Sequence, residues 1–477
     1  MFENISQLVH NKFRGNKSQL RKRKMKRLLL FLLFLWTPLN AQQGSLKVPY
    51  TRMVLPNGLT VILHEDHSIP RATVNVWYHV GSGRELPGRT GFAHLFEHIM
   101  FEGSGNVPEG KFDDWLESAG GDNNGSTNTD RTNYYENLPS NAVELALFLE
   151  SDRMGYLLDA MSPSKVDGQR DVVKNERRQR YENQPYGMVW IVMARSLYSK
   201  DHPYSWPTIG SMEDLSAASY EDVVRFFKTY YVSNNTSIVI AGDIDPVATK
   251  AMVGTWFNEI PAGNPVPPVD RPAAVLTEEK RLMFEDRVQL PRLYMAWLTP
   301  SLFAPGDAEM DILANLLAGG KNSRLYKRLV YDLQIAQDVS AFQSSASLSS
   351  SFWIVATARD GHTLGEIEAI IQEELERIKT ETPAEREVAR AINQYEAGFL
   401  DGLETAGGKA DQLNNYFTRT GNPDYFNEDL SRYKALDPSD IQTAAQTYLP
   451  MNARVVLSVV PNGKKELAAE RSMEVKP

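Results

Sequence analysis

The segment Thr90-Gly-Phe-Ala-His94-Leu-Phe-Glu97-His98-Ile-Met-Phe-Glu-Gly103 decides how the rest of this chain is interpreted. Thr90 can cap the start of a helix, and Gly103 can end it. In a helix, His94 and His98 lie one turn apart on the same face, so both imidazoles can reach one metal ion. Glu97 lies beside that face, where it can contact a water molecule without binding the metal. The segment therefore predicts a metal-binding helix that also carries a proton acceptor.

Two histidines at this spacing are a specific signal in a chain that contains only eight. With the glutamate between them, they arise by chance in roughly one such sequence in a hundred. A single histidine on an apolar helix face is usually a core residue, but the pair with its glutamate reverses that expectation. His-x-x-Glu-His is the inverted form of a known zinc-binding signature. We therefore expect Zn²⁺ as the cofactor.

A catalytic zinc site typically has a third protein ligand and keeps its fourth position open to water. The segment 167–181 is dense in charge and is predicted to form a helix that could supply this ligand. Charge runs usually mark a solvated helix face, so most of these side chains are expected to face water. Residue type and spacing alone do not choose between Asp171, Glu176 and Glu182.

Composition excludes several other classes of function. The net charge of −9 becomes −17 once the basic residues 1–41 are set aside. So acidic a body repels phosphates, which argues against nucleic acid as a partner. The chain has no cysteine, which excludes thiolate metal sites, a cysteine nucleophile and disulfides.

Residues 1–41 have the layout of a secretory signal, with translation starting at Met25. Met25-Lys26-Arg27 is basic, residues 28–36 are continuously apolar, and Ala41 offers a small residue at the cleavage point. Nine apolar residues are too few to span a bilayer. This layout predicts an exported, periplasmic protein. The alternative is a retained anchor, which would make the chain a membrane-anchored peptide-binding module.

Two similar halves follow the signal, separated by the Pro-rich segment 261–275, which is predicted to be a linker. Pro70-Arg71 in the first half and Pro291-Arg292 in the second each open a strand-like run, and Tyr231 and Tyr448 form a second pair of landmarks. The separation along the chain is nearly the same for both pairs, which indicates a duplicated domain. We therefore predict an α+β fold of two homologous domains, 45–260 and 276–465, each a mostly antiparallel sheet layered with helices.

The sequence resembles the pitrilysin-type zinc peptidases, the family of insulin-degrading enzyme and the mitochondrial processing peptidase, from about residue 50 to 465. Members carry His-x-x-Glu-His and, some distance on, a glutamate in a segment like Glu-Arg-x-Val-Val-x-x-Glu. Here the matching segment, at a similar distance after His98, is Gln169-Arg-Asp-Val-Val-Lys-Asn-Glu176. The resemblance implies that Glu176 is the third zinc ligand. Gln169 departs from the family pattern, which places a glutamate there in support of the site.

The resemblance also implies an activity and a mode of substrate binding. It predicts a zinc-dependent endopeptidase in which Glu97 is the general base. It further predicts that the segment Asn124-Gly125-Ser126-Thr127 is an edge strand that pairs with the backbone of peptide substrates. From composition alone, this segment would be a polar hairpin loop.

One expected feature is missing from the second half. Its helix, Asp307 to Leu317, lacks the zinc motif, and Val330 and Gln337 stand where self-sufficient relatives carry an Arg and a Tyr that hold the substrate. This predicts a heterodimer with a zinc-less homologous subunit that supplies the missing pair. The alternatives are a homodimer with altered substrate contacts, and a non-catalytic structural or assembly subunit of the same fold.

Overall fold

Asn57 and Gly58 form the turn that starts the first sheet. Only Gly58 has a positive φ, of 87°, whereas the Asn57 side chain donates hydrogen bonds to the carbonyls of Phe257 and Ile260. The two strands on either side of this turn pair in antiparallel register, so the turn closes a hairpin. The glycine supplies the left-handed conformation, and the asparagine ties the turn to the end of a distant helix.

The computed structural model describes residues 45–269 and 272–477, and its first sheet has six strands in the order β1-β2-β6-β3-β5-β4. Only the β2–β6 pair is parallel. The strands are β1 (Thr51–Val54), β2 (Thr60–Glu65), β3 (Arg71–Tyr78), β4 (Asp122–Thr127), β5 (Thr132–Pro139) and β6 (Thr236–Gly242).

One face of this sheet is apolar and packs against helices of the same half. Val74, Val76 and Tyr78 are fully buried there together with Phe96 and Ile99. The helices are α1 (Phe92–Ile99), α2 (Lys111–Ser118), α3 (Val143–Ala160), α4 (Pro163–Arg177), α5 (Val189–Leu197), α6 (Met212–Ala217), α7 (Tyr220–Tyr230) and α8 (Pro246–Phe257).

The second sheet repeats the plan of the first. Its order is β12-β7-β11-β8-β10-β9, and β7 pairs in parallel with β11, as β2 does with β6. Its strands are β7 (Lys280–Asp286), β8 (Arg292–Thr299), β9 (Ala336–Ser344), β10 (Ser350–Ala358), β11 (Val455–Pro461) and β12 (Met473–Glu474). Its helices are α9 (Asp307–Ala318), α10 (Leu364–Thr380), α11 (Glu385–Gly402), α12 (Ala406–Thr420), α13 (Phe426–Lys434) and α14 (Pro438–Tyr448).

The predicted α+β class, with two sheets of mostly antiparallel strands, is therefore confirmed. The predicted domain limits stay predictions, although 261–269 and 272–274 contain neither helix nor strand. The predicted secretory signal lies outside the described residues. Within the described ranges, no helix is both long and apolar enough to cross a bilayer.

Each sheet receives a helix from the other half on its second face. Helix α5 covers the second sheet with apolar contacts, burying Val189 and Met193 beside Leu457. Helix α12 covers the first sheet with polar contacts, since Asn414 accepts from Ser237 and donates to the Asn75 carbonyl. The polar face of the first sheet is therefore closed only in part, by residues that lie far away in sequence.

Candidate metal centre

The start of helix α1 is fixed by a carboxylate that sequence analysis missed. Glu85 accepts hydrogen bonds from the backbone N–H groups of Gly91 and Ala93, at 2.9 and 2.8 Å. The prediction that Thr90 caps this helix was wrong, because its hydroxyl instead donates to Asp214. The helix also ends earlier than expected, at Ile99 rather than near residue 103. Free N–H groups at a helix start favour an acceptor from any part of the chain, so a local pattern could not reveal Glu85.

Replacing Glu85 with alanine is expected to destabilise the protein by about 1–3 kcal/mol, because buried N–H groups lose their acceptor. Burial raises the pKa of Glu85 to about 8. Glu85→Gln keeps one acceptor oxygen but turns its NH2 group towards the other N–H, so it should destabilise the protein less than alanine does. Denaturant titration of both variants measures the two losses. Equal stability of the wild type and Glu85→Ala would contradict this role.

His94, His98 and Glu176 converge although Glu176 lies on a different helix, far along the chain from the two histidines. The Nε2 atom of His98 lies 3.1 Å from one carboxylate oxygen of Glu176, and that of His94 lies 3.6 Å from the other. The two rings meet edge to face, with centroids 4.8 Å apart. Asp171 and Glu182 do not join them: Asp171 faces solvent beside Lys174, and Glu182 pairs with Arg177.

The three side chains fit a divalent ion. Two ligands of a tetrahedral zinc ion lie about 3.4 Å apart, which follows from metal–ligand distances of ~2.1 Å. The observed 3.1 and 3.6 Å separations fall on either side of that value. Two imidazoles and one carboxylate are a common donor set for catalytic zinc, and they leave one position open. The Nδ1 atom of His94 is buried and has no hydrogen-bond partner among the described residues.

Burial and neighbouring charges favour the neutral imidazole and the ionised carboxylate that a metal ion needs. Burial lowers the pKa of His94 to about 4, so its imidazole is neutral at physiological pH. Burial also acts to raise the pKa of Glu176, but the hydrogen bond with His98 and the positive charge of Arg180 act against it, and the pKa is lowered. Arg180, which sequence analysis missed, lies 2.8 Å from Glu176.

The Glu97 side chain extends from α1 towards Gly125 of the edge strand β4. Its Cγ is 3.2 Å from the position that a β-carbon on Gly125 would occupy, and the nearby Thr127 acts to lower the pKa of its carboxyl group, against the larger effect of burial. Burial raises the pKa of Glu97. A raised pKa brings a carboxylate closer to the value that suits proton transfer at neutral pH. The absence of a side chain at residue 125 leaves Glu97 room on the metal face of the strand.

The segment Asn124-Gly125-Ser126-Thr127 lies in β4, which is an outer strand of the first sheet. The N–H of Asn128 donates to the carbonyl of Arg131, which sets the alternation of the β4–β5 ladder. In that alternation, Gly125 and Thr127 direct their backbone polar groups away from β5 and towards the open edge. The side chain of Asn124 accepts from the Gly125 N–H at 2.8 Å.

Gln169 forms a hydrogen bond with Glu102, which follows the helix that carries His94 and His98. Its side-chain amide donates to the Glu102 carboxylate. A glutamate at position 169 would place two carboxylates against each other, which is unfavourable at neutral pH. The neutral glutamine at position 169, which departs from the family pattern, therefore suits its contact with the Glu102 carboxylate.

The second half has no comparable centre among the described residues. Asp311, on the equivalent helix α9, accepts a hydrogen bond from Tyr433, and burial raises its pKa to about 7. Val330 lies in a π-helical turn, and Gln337 lies near the start of β9. The neighbouring Arg328 is engaged in ion pairs with Glu373 and Glu374.

The sequence matches two family descriptions. "Insulinase (Peptidase family M16)" covers residues 60–199, and "Peptidase M16 inactive domain" covers residues 217–395. The chain is 26% identical over 438 residues to zinc protease PqqE of Helicobacter pylori, covering 89% of this chain and 96% of that protein. It is 24% identical over 417 residues to a probable mitochondrial-processing peptidase subunit beta of Arabidopsis thaliana, covering 85% and 77%.

Solved structures share the fold. A protease from Helicobacter pylori superposes with a TM-score of 0.81 at 24% identity, covering 87% of this chain and all of that one. The periplasmic protease PqqL from Escherichia coli gives a TM-score of 0.74 at 18% identity, covering 90% of this chain and 49% of that one. The curated relatives are named as zinc proteases and processing peptidases, which supports a peptidase at the level of the family. The chain belongs to the M16 family, the insulinase or pitrilysin-type peptidases.

Proposed function

We propose that this protein is a zinc-dependent endopeptidase that cleaves peptides or unfolded segments of polypeptides. The observation that carries the proposal is the convergence of His94, His98 and Glu176 beside the Glu97 carboxylate. The three ligands would hold the ion, and Glu97 would remain free for proton transfer. A bound zinc ion supplies a Lewis acid that polarises a carbonyl and lowers the pKa of water.

Glu97 moves the protons in this proposal. It accepts a proton from the attacking water and later delivers it to the amine that leaves. The position of Glu97 beside Gly125 and Thr127 supports this role, because an extended peptide paired with β4 would pass its scissile bond next to the carboxylate. Main-chain hydrogen bonds along such an edge hold any extended peptide and fix its register.

The same proposal includes export and a partner. The layout of residues 1–41 supports delivery to the periplasm. The occupation of positions 330 and 337 by Val and Gln, neither of which provides a guanidinium or a phenol, supports a heterodimer with a zinc-less homologue. That subunit would supply the Arg and Tyr that contact the substrate. A homodimer is the alternative arrangement.

Metal analysis combined with peptide digestion tests the proposed function. We expect about one zinc per chain, loss of cleavage after chelation, and recovery when zinc returns. Digestion is measured for the chain alone and together with its co-purified partner, and the heterodimer predicts much faster cleavage by the pair. Full activity of the chain alone would contradict the heterodimer. Absence of both zinc and cleavage would reject the peptidase and favour a structural subunit.

A further inference from the structure

The first sheet has a cavity on the face opposite the metal site. Its volume is about 630 Å³, and most of the side chains that β3, β4 and β5 contribute to its lining are polar, alongside the apolar Ala72 and the neighbouring Ile69. The first turn of α12 forms the far wall, with Gly407 lying over Asn137 and Thr73. Asp122 and Ser126 of β4, the strand on which the proposed function places the substrate, form part of the lining of the cavity. It is therefore adjacent to the substrate path, yet separated from the metal by the thickness of the sheet.

Strand geometry connects this cavity to a bound peptide. Side chains alternate between the faces of a sheet, and directly paired residues share a face. Gly125 pairs with Tyr134 on the metal face, whereas Asn124 pairs with Tyr135 and Ser126 with Asn133. Ser126, Asn133 and Tyr135 line the cavity. A peptide residue opposite Gly125 thus faces the metal side, and its neighbours along the peptide face the cavity.

The chemistry of the lining favours an uncharged polar side chain. The two cationic side chains, Arg71 and Arg131, are balanced by Asp122 and Asp411. Arg131 is committed to Ser126, whose carbonyl and hydroxyl oxygens it contacts at 2.8 and 2.7 Å. Asp411 accepts from the Asn75 amide and the Trp77 indole N–H. A charged guest gains no net attraction from such a lining.

The floor offers both donors and acceptors in amide form. Asn75, Asn133 and Asn137 all contribute to it. Asn133 accepts from Ser126 and donates to Asn75, and Asn137 accepts from Thr73. Asn137 also donates to Asp122, so all three amides are already hydrogen-bonded within the floor. An amide oxygen can accept a second hydrogen bond and an NH2 group can donate a second, so a carboxamide guest can still take both roles with these groups, whereas an aliphatic guest can take neither.

We propose that this cavity is a specificity subsite that receives one side chain of a peptide bound along β4 and prefers a carboxamide side chain, such as glutamine, over an aliphatic one. The inference rests on the proposed peptidase function. It adds a selective contact on the face of the sheet that does not carry the metal. It also assigns part of the selectivity to the second half of the chain, because α12 forms the wall.

Gly407 offers a direct test. A β-carbon there would lie 3.4 Å from the Asn137 side-chain oxygen and 3.6 Å from the Thr73 hydroxyl, so alanine fits and a leucine side chain would enter the cavity. The residue lies in a helix and has no positive φ, so neither substitution strains the backbone. Gly398→Leu in α11 is the matched control, because its β-carbon meets nothing within 4 Å.

The experiment uses a peptide that the protein cleaves, with each position changed in turn to Gln, Leu or Ala. Binding is measured in the Glu97→Gln background, and cleavage is measured with Glu97 intact. At one position we expect Gln to bind about tenfold more tightly than Leu, the effect of one neutral hydrogen bond. Gly407→Leu should abolish that preference and Gly407→Ala should reduce it, whereas Gly398→Leu should keep it.

The outcomes separate the two proposals. If peptides are cleaved and Gly407→Leu leaves every positional preference within about twofold of the wild type, the subsite is rejected and the peptidase stands. A change at two adjacent positions would also reject it, because adjacent side chains face opposite sides of the sheet. If no peptide is cleaved or bound, the peptidase proposal itself fails.

Discussion

Replacing Glu97 with glutamine is expected to lower peptide cleavage by roughly 10³-fold while the protein keeps its zinc. The amide has nearly the shape of the carboxylate but cannot accept a proton from water. Glu97 lies beside the three proposed ligands and is not among the residues whose atoms converge, which are His94, His98 and Glu176. Metal content and peptide affinity should therefore change little.

The measurement pairs zinc stoichiometry with single-turnover cleavage of one peptide. Glu117→Gln is the control for the loss of one negative charge, because Glu117 is an exposed glutamate on α2. We expect it to retain wild-type turnover and wild-type zinc. Retained turnover in Glu97→Gln would exclude Glu97 as the general base, and loss of zinc in that variant would instead make it a ligand.

Replacing Glu176 with alanine should remove zinc at ordinary concentrations and, with it, all cleavage. Loss of a residue that only supports a ligand already weakens metal binding by roughly 10–100-fold, so loss of a ligand should exceed that. The variant also leaves His94 and His98 without the carboxylate that lies 3.6 and 3.1 Å from them. Competition with a chelator of known affinity measures the change in zinc affinity.

Asp171→Ala is the matched control for this prediction. It removes a carboxylate from an earlier turn of the same helix. The Asp171 side chain is 75% exposed and pairs with Lys174. Exposed pairs of this kind contribute little, so zinc affinity and stability should both stay near the wild type. Equal zinc affinity in Glu176→Ala and Asp171→Ala would mean that the third ligand lies elsewhere.

Buried charge behind the site explains how the edge strand is held in place. Arg153 on α3 donates to Glu150 and, at 3.2 Å, to Glu136 on β5. Its guanidinium also lies over the rings of Phe112 and Tyr134. These contacts join α3 to the strand that pairs with β4. Such a network forms only where three segments meet in the core, so no local sequence pattern predicts it.

The site was predictable to the extent that its chemistry is local. His94, Glu97 and His98 occupy little more than one turn, and the spacing of a helix places them together whatever the rest of the chain does. The third ligand differs, because Asp171, Glu176 and Glu182 were equally acceptable by type and spacing. Resemblance to the family selected Glu176, and the structure brings that residue to the imidazoles while turning the other two away.

By itself, the sequence determined the α+β class, the repeated plan and the pair of histidines, because each depends on short-range periodicity or on repeats along the chain. Only the tertiary structure decided that Glu85, not Thr90, holds the start of α1, and that α12 forms one wall of a cavity lined by β3, β4 and β5. The physical reason is the same in both cases. The direction in which a side chain points is set by the packing of segments far apart in sequence, and that packing is a property of the whole core.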